Sequence, residues 1–350
     1  MVGETTKEEK SPLLPERYPQ GDFFVCDIFD AAPKGDMASM EHPIFSVATK
    51  PDRSPRRYEQ GPNWLEVTPS VKGLATIHDR DVLIYCISQL MAALNDGRAV
   101  SQTVRLRAFD LLTATNRPTG GEAYARLRAA LLRLAGTRIE TNITTGSTEQ
   151  LDGFGLIESY RIVRETRDGR MQEVEIKLSD WVFNAIRGKE VLTLHRDYFR
   201  LRKPLERRMY ELARKHCGRK EEWRVSLRTL QKKCGSASTS KEFRRLVGTI
   251  VQQDTTYHHM PDYAVTLTHD DMVMFRNRHT MTRKTGTTAG MLVPPLDAET
   301  YHDARTVAEG WDIYMLEREW RAWMTEPPRY PDEAFIGFCR KWVERRGAVR

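Results

Sequence analysis

The chain is most informative first in what it lacks. No stretch of its 350 residues approaches the roughly 18 apolar residues in a row that a membrane-spanning helix needs. The opening MVGETTKEEK has none of the basic-then-apolar order of a secretion signal. The five cysteines, at 26, 86, 217, 234 and 339, are odd in number, far apart and never in C-x-x-C. That spacing argues against a disulfide framework or a zinc site and for reduced thiols in the cytoplasm. The phosphate cradle G-x-x-x-x-G-K-[ST] is missing, as are H-E-x-x-H and G-x-S-x-G. No H-x-H pair stands near a tyrosine, as a metal-dependent DNA nickase would need. The nearest approach is YHHM at 257–260, which reads as a solvated loop. Asp270–Asp271 reads as a turn before it reads as a cation site. The expectation is a cytoplasmic binding protein, not an enzyme, with no cofactor, no metal and no membrane.

What is present is positive charge, unevenly distributed. The net charge is +7, but residues 196–250 alone hold 17 Lys and Arg against 6 Asp and Glu. Residues 98–138 hold 8 Arg against 2 acids, whereas residues 1–40 hold 4 basic against 8 acidic side chains. Clustered cations raise the local potential and attract polyanions. The competing account is that a charged helix face merely meets water.

The order of elements sharpens the choice. Residues 1–40, acidic and with little periodicity, read as a mostly disordered tail, with Met37 or Met40 as a possible second start. DRDVLIYCISQLMAALNDG is a strongly apolar helix. VRLRAFDLLTAT reads as a short helix from about 104 to 115. After the turn NRP comes a second helix, with Thr119 and Glu122 at capping-box spacing. Tyr124, Leu127, Leu131 and Leu134 share its apolar face, with Arg126 and Arg133 opposite and Arg128 on the flank. Strands come next, two of them joined by TRDGR, whose Asp-Gly marks a tight hairpin. After LSDWVFNAI, a linking helix, the order repeats. A long helix over 203–217 carries Leu205, Met209 and Leu212 on its core face and turns Arg207, Arg208, Arg214 and Lys215 outward, with Glu211 and Lys215 spaced to pair. Then come a short strand WRVSL, a short helix, and a helix capped by Thr239 with Phe243, Leu246, Val247 and Ile250 inward and Lys241, Arg244 and Arg245 off that face. A last hairpin, DYAVTLT–HDD–MVMF, closes the repeat. Helix, short helix, turn, helix, hairpin is the order of a winged-helix domain.

The expected architecture is therefore α+β: a tail to residue 40, a first winged-helix domain over 41–190, a second over 191–276, a linker over 277–296, and a small helical C-terminal region over 297–350 with tryptophans at 311, 320, 323 and 342. Aromatic side chains at helical spacing there are expected in a core.

MEHPIFSV, GLATIHDRDVLIYCISQLM, RLAGTRIETNI, LSDWVFNAI, VLTLHRDYFRLRKPLERRMYELARKHCG, WDIYMLEREWRAWM and PDEAFIGFCRKWVERRG resemble the replication initiator protein A family of bacterial plasmids, from about residue 40 to 347. The resemblance implies a sequence-specific DNA-binding protein that starts plasmid replication. It would bind repeated duplex sites at an origin, help melt the adjacent AT-rich DNA, and recruit the host initiator ATPase and replicative helicase. It would act as a monomer on the repeats and as a dimer repressing its own gene. A winged-helix transcriptional regulator with no part in initiation is the alternative.

Cations neutralise phosphates, and paired guanidinium donors read guanine edges. The DNA contacts expected from the residues are Arg126, Arg128 and Arg133 on the first reading helix, and Lys241, Arg244 and Arg245 on the second. The hairpin arginines Arg164, Arg167 and Arg170 suit a wing, and Arg207 and Arg208 of the basic helix are within reach of backbone phosphate.

Overall fold

The computed structural model describes residues 11–19, 25–27, 43–60, 63–141, 153–164, 171–188, 191–280, 296–309, 311–324 and 328–346. Helix α1, Arg80–Asn95, organises what surrounds it. Its sequence is apolar on all sides from Val82 to Ile87, and such a helix must be covered on every face. Leu83, Ile84, Cys86 and Ile87 are all fully buried. Ile84 packs into a different core from Leu83 and Cys86, so α1 is where two cores meet.

The first core is built on a plan that the second repeats. After α1 come strand β4 (Thr103–Arg107), helices α2 (Ala108–Ala114) and α3 (Gly121–Gly136), and the antiparallel strands β7 (Ile157–Arg164) and β8 (Met171–Leu178). In the sheet β8 lies between β4 and β7. After α5 (Pro204–His216) come β10 (Glu222–Ser226), α6 (Leu227–Cys234), α7 (Ser240–Tyr257), β11 (Tyr263–Leu267) and β12 (Met272–Asn277). There β12 lies between β10 and β11. Each unit is thus helix, strand, helix, helix and hairpin, the last strand central.

The first unit also carries a second antiparallel sheet of β2 (Arg56–Gln60), β3 (Asn63–Thr68), β5 (Arg138–Thr141) and β6 (Phe154–Gly155). Helix α4, Asp180–Arg187, comes after the first hairpin; its Ser179 N-cap oxygen accepts the Val182 N–H at 3.4 Å. The short β1 (Cys26–Asp27) pairs with β9 (Leu192–Thr193). A third core is formed by α8 (Ala298–Val307), α9 (Ile313–Trp323) and α10 (Pro331–Arg346) around Leu316, Trp320 and Phe335. No helix among the described residues is long and apolar enough to cross a membrane. Cys86, Cys217, Cys234 and Cys339 are buried free thiols.

Several expectations are corrected. Residues 103–107 are a strand, not the start of a helix: Val104 and Leu106 point inward and Arg105 and Arg107 outward, the period of two that a half-buried strand requires. Thr119 does not cap α3; Gly120 stands at the N-cap with no side-chain bond. Thr239 does cap α7, accepting the Glu242 N–H at 3.3 Å. Within the acidic tail, residues 11–19 contact the rest of the chain. The Leu14 N–H donates to the Arg200 carbonyl at 2.9 Å and the Arg17 N–H to Asn116 Oδ1 at 2.8 Å, so this strand of chain straps the first unit to the segment leading into α5. Met37, Met40 and most of the 277–296 linker lie outside the described residues. His259, expected in a solvated loop, is 2% exposed, with Nε2 at 3.2 Å from Glu206 Oε1.

Candidate nucleic-acid interface

The basic helix α5 does not face solvent. Arg207, Arg208 and Arg214 are 3%, 4% and 1% exposed. Arg207 donates from NH1 to Asp81 Oδ1 at 2.6 Å, from Nε to the Leu201 carbonyl at 2.9 Å, and lies over the Tyr198 ring. Arg208 donates to the Lys233 carbonyl at 3.1 Å and to Glu211 Oε2 at 3.2 Å. Arg214 donates to the Thr193 carbonyl at 2.8 Å and pairs with Asp297 at 3.4 Å. Glu211, expected to face outward and pair with Lys215, is buried and accepts from Arg80 NH1 at 2.6 Å and from the Tyr198 hydroxyl at 2.6 Å. Arg207 and Arg208, expected within reach of phosphate, are thus enclosed in ion pairs and not presented at the surface, and Arg214 and Lys215 do not form an outward basic face; the Lys215 side-chain nitrogen is itself buried. A charge excluded from water has to be paired, and the acids that pair these arginines come from three different parts of the chain.

The partners define a junction. Asp79, Arg80 and Asp81, at the start of α1, are 3%, 2% and 0% exposed. Asp81 receives Arg207 on one oxygen and Arg117, at 2.7 Å, on the other. Asp79 is held by both Nε and NH2 of Arg133, each at 2.7 Å. So α5 is tied by Arg207 to the first unit, by Arg208 to α6 of its own unit, and by Arg214 to the C-terminal helices. Burial and the nearby Arg207 charge push the His78 imidazole down to about 3, so it stays neutral in the folded protein. Burial would raise the Glu206 carboxyl, but hydrogen bonds from His259 and Lys203 outweigh it and hold the group below its ordinary range.

The remaining candidates fall into grades of availability. Arg128 and Lys241 are exposed and have no ion-pair partner among the described residues. Arg126 pairs with Glu122 one turn away. Arg245 pairs with Glu242 at 2.7 Å while 64% exposed. Arg244 pairs with Asp271 in the hairpin turn, both exposed. Exposed pairs of this kind are worth about 0–1 kcal/mol, so phosphate can displace the carboxylate. Arg133 is different: its side chain is 23% exposed and clamps the carboxylate of Asp79, whose side chain is 5% exposed. It braces α3 against α1. Arg164 closes β7, while its side chain, Arg167 and Arg170 lie outside the described residues.

The outward face of α7 is the more polar of the two second helices. Lys241, Arg244, Arg245, Gly248, Thr249 and Gln252 succeed one another at helical spacing, and a Cβ at Gly248 would meet nothing. Its inward face, Phe243, Val247, Ile250 and Asp254, is buried. Asp254 ties the helix to the chain on its C-terminal side, accepting the Met260 N–H at 2.8 Å, the Val265 N–H at 3.0 Å and Arg278 NH2 at 2.8 Å. Charge is thus carried on a rigid support. On α3 the outward side mixes Glu122, Ala125, Arg126 and the 40%-exposed Leu132.

The profile of the family described as Replication initiator protein A matches residues 34–265. A "Putative replication protein" of Wigglesworthia glossinidia brevipalpis is 35% identical over 277 residues, covering 77% of this chain and 98% of that protein. Among solved structures, RctB domains 2–3 align at a TM-score of 0.47 and 14% identity, over 68% of this chain and 95% of that one. A selenomethionine form of RctB domains 2 and 3 aligns at 0.49 and 14%, over 67% and 94%. With two thirds of its length inside the family profile, and a relative that it matches from end to end, the chain belongs to the replication initiator protein A family.

Proposed function

We propose that the chain is a plasmid replication initiator that binds repeated duplex sites at an origin through two winged-helix units. The supporting observation is the duplicated plan, in which a strand pairs with the last strand of a hairpin and a second helix presents exposed cations. That plan agrees with helices α3 and α7 reading successive major-groove faces about 34 Å apart. Lys241, Arg244 and Arg245 on α7, with Arg126 and Arg128 on α3, are the contacts; Arg164, Arg167 and Arg170 serve the wing. On this reading the protein opens the adjacent DNA, recruits the host initiator ATPase and replicative helicase, and shifts between monomer on the repeats and dimer on its own promoter. The chemistry is binding, with no covalent step.

The test is footprinting on origin and upstream DNA, then permanganate probing of a supercoiled origin plasmid with host factors added. Repeated protected sites and reactive thymines beside them are the expected result. Protection without opening makes the protein a transcriptional regulator. Covalent attachment to a labelled 5′ end with a divalent metal makes it a nickase and ends the proposal.

A further inference from the structure

The C-terminal helices hold a feature that the duplex reading does not use. Trp320 and Trp323 lie one turn apart on α9. Trp320 is 1% exposed and fills the third core, whereas Trp323 is 72% exposed. An indole presents a large apolar face, and leaving it in water opposes the trend that buried Trp320 obeys. Trp323 borders a groove of about 530 Å³ between α9 and α10. Its ring centroid is 6.0 Å from that of Phe338, which is 5.5 Å from that of Trp342, and the Arg346 guanidinium lies 4.4 Å over the Trp342 ring.

The lining decides what the groove suits. Apart from its three aromatic rings it has only Ala334 and Gly337 as apolar residues, and no Leu, Ile, Val or Met. A Cβ at Gly337 would meet nothing within 4 Å, so the floor is open. Grooves that receive an amphipathic peptide helix offer pockets for its aliphatic anchors, often lined by deformable methionine. A row of rings with small residues between them instead offers flat faces. The rim is cationic: Lys341, Arg345 and Arg346 stand against the single acid Glu319, all exposed. Flat π faces beside cations are what a polynucleotide with unpaired bases recognises, bases stacking and phosphates meeting the cations. Duplex DNA hides its base faces and has nothing to stack.

We propose that the α9–α10 groove is a binding site for single-stranded nucleic acid, with Trp323 as its stacking platform and Lys341, Arg345 and Arg346 as its phosphate contacts. The site is separate from α3 and α7, so it stands or falls independently of the duplex reading.

The full-length protein is titrated with labelled oligothymidylate of about 20 nucleotides, monitored by anisotropy and tryptophan quenching. Trp323→Ala is expected to weaken binding by roughly fivefold to a hundredfold, with Trp323→Phe recovering most of it. Duplex affinity and the circular dichroism spectrum stay unchanged. Replacing Lys341 and Arg345 by Ala lowers the slope of log affinity against log salt by about 1.4. Parallel titration with oligouridylate tells whether DNA or RNA is preferred. Equal affinity of wild type and Trp323→Ala for both oligonucleotides overturns the proposal. So does quenching of Trp323 by an acidic amphipathic peptide that oligothymidylate fails to displace, which makes the groove a protein-docking site.

Discussion

Helices α5 and α7 look alike as strings of Arg and Lys, and the fold uses them in opposite ways. On α5 the guanidinium groups of Arg207, Arg208 and Arg214 are sealed in and face Asp81, Glu211 and Asp297. On α7, Arg244 and Arg245 are 45% and 64% exposed and hold their acids loosely. The count of cations on a helix does not tell which will happen. What decides is whether the opposite charge is buried nearby in three dimensions. Removing one partner of a buried pair leaves a bare charge, at a cost of about 3–5 kcal/mol; removing one partner of an exposed pair costs almost nothing.

The comparison can be broken most forcefully at Arg207. Arg207→Ala is expected to lower unfolding stability by about 3–5 kcal/mol, read from urea denaturation, because Asp81 keeps one of its two guanidinium partners and loses the other. Replacing Arg207 and Asp81 together by apolar residues should recover part of that loss; no recovery would mean that the pair is not the source. Next, Arg244→Ala is expected to weaken origin binding by about 1–3 kcal/mol if it reads a base edge, with the urea midpoint unmoved. A shift in stability instead of affinity would place Arg244 with the α5 arginines.

A third experiment sharpens the comparison through acid. The folded His78 pKa of about 3 lies below its ordinary 6.5. The group therefore contributes stability above pH 6.5 that is lost as the pH falls from there toward 3. Glu206, lowered from 4.5, adds to the loss only below its ordinary value. Urea melts between about pH 7.5 and pH 5 take in the start of this loss together with the opposite contribution of His279, which its Asp262 partner holds above the ordinary value, so the His78 share is read as the difference from His78→Asn, which should lose less stability as the pH falls. The smallest effect is Arg245→Ala, expected to change stability by under about 0.5 kcal/mol; a larger loss would show that its pair with Glu242 matters to α7.

Much of the plan was legible in the sequence. The apolar faces Leu127/Leu131/Leu134 and Phe243/Val247/Ile250 placed both second helices, and Asp168–Gly169 and the HDD turn placed both hairpins. β4 was missed because TVRLR running into AFDLL offers five residues of period two directly against a helix, with no breaker between them. The junction was missed for a different reason. Buried arginines are rare enough that outward is the sound first guess. A signal did exist: HDRD enters a helix apolar on all sides, so its own charges had to be buried and to find cations somewhere. Nothing local says that one of those cations, Arg207, lies more than a hundred residues away on α5. The exposure of Trp323 beside the buried Trp320 was equally hidden, since both sit on one helix at core spacing.

The tie between Asp81 and Arg207 has a consequence for the DNA. If both second helices read one duplex, their offset is fixed by the protein before any DNA arrives. The molecule then acts as a gauge. Inserting one base pair between the two half-sites moves the far one by about 3.4 Å and rotates it around the axis, and the duplex rather than the protein has to twist or bend to restore the fit.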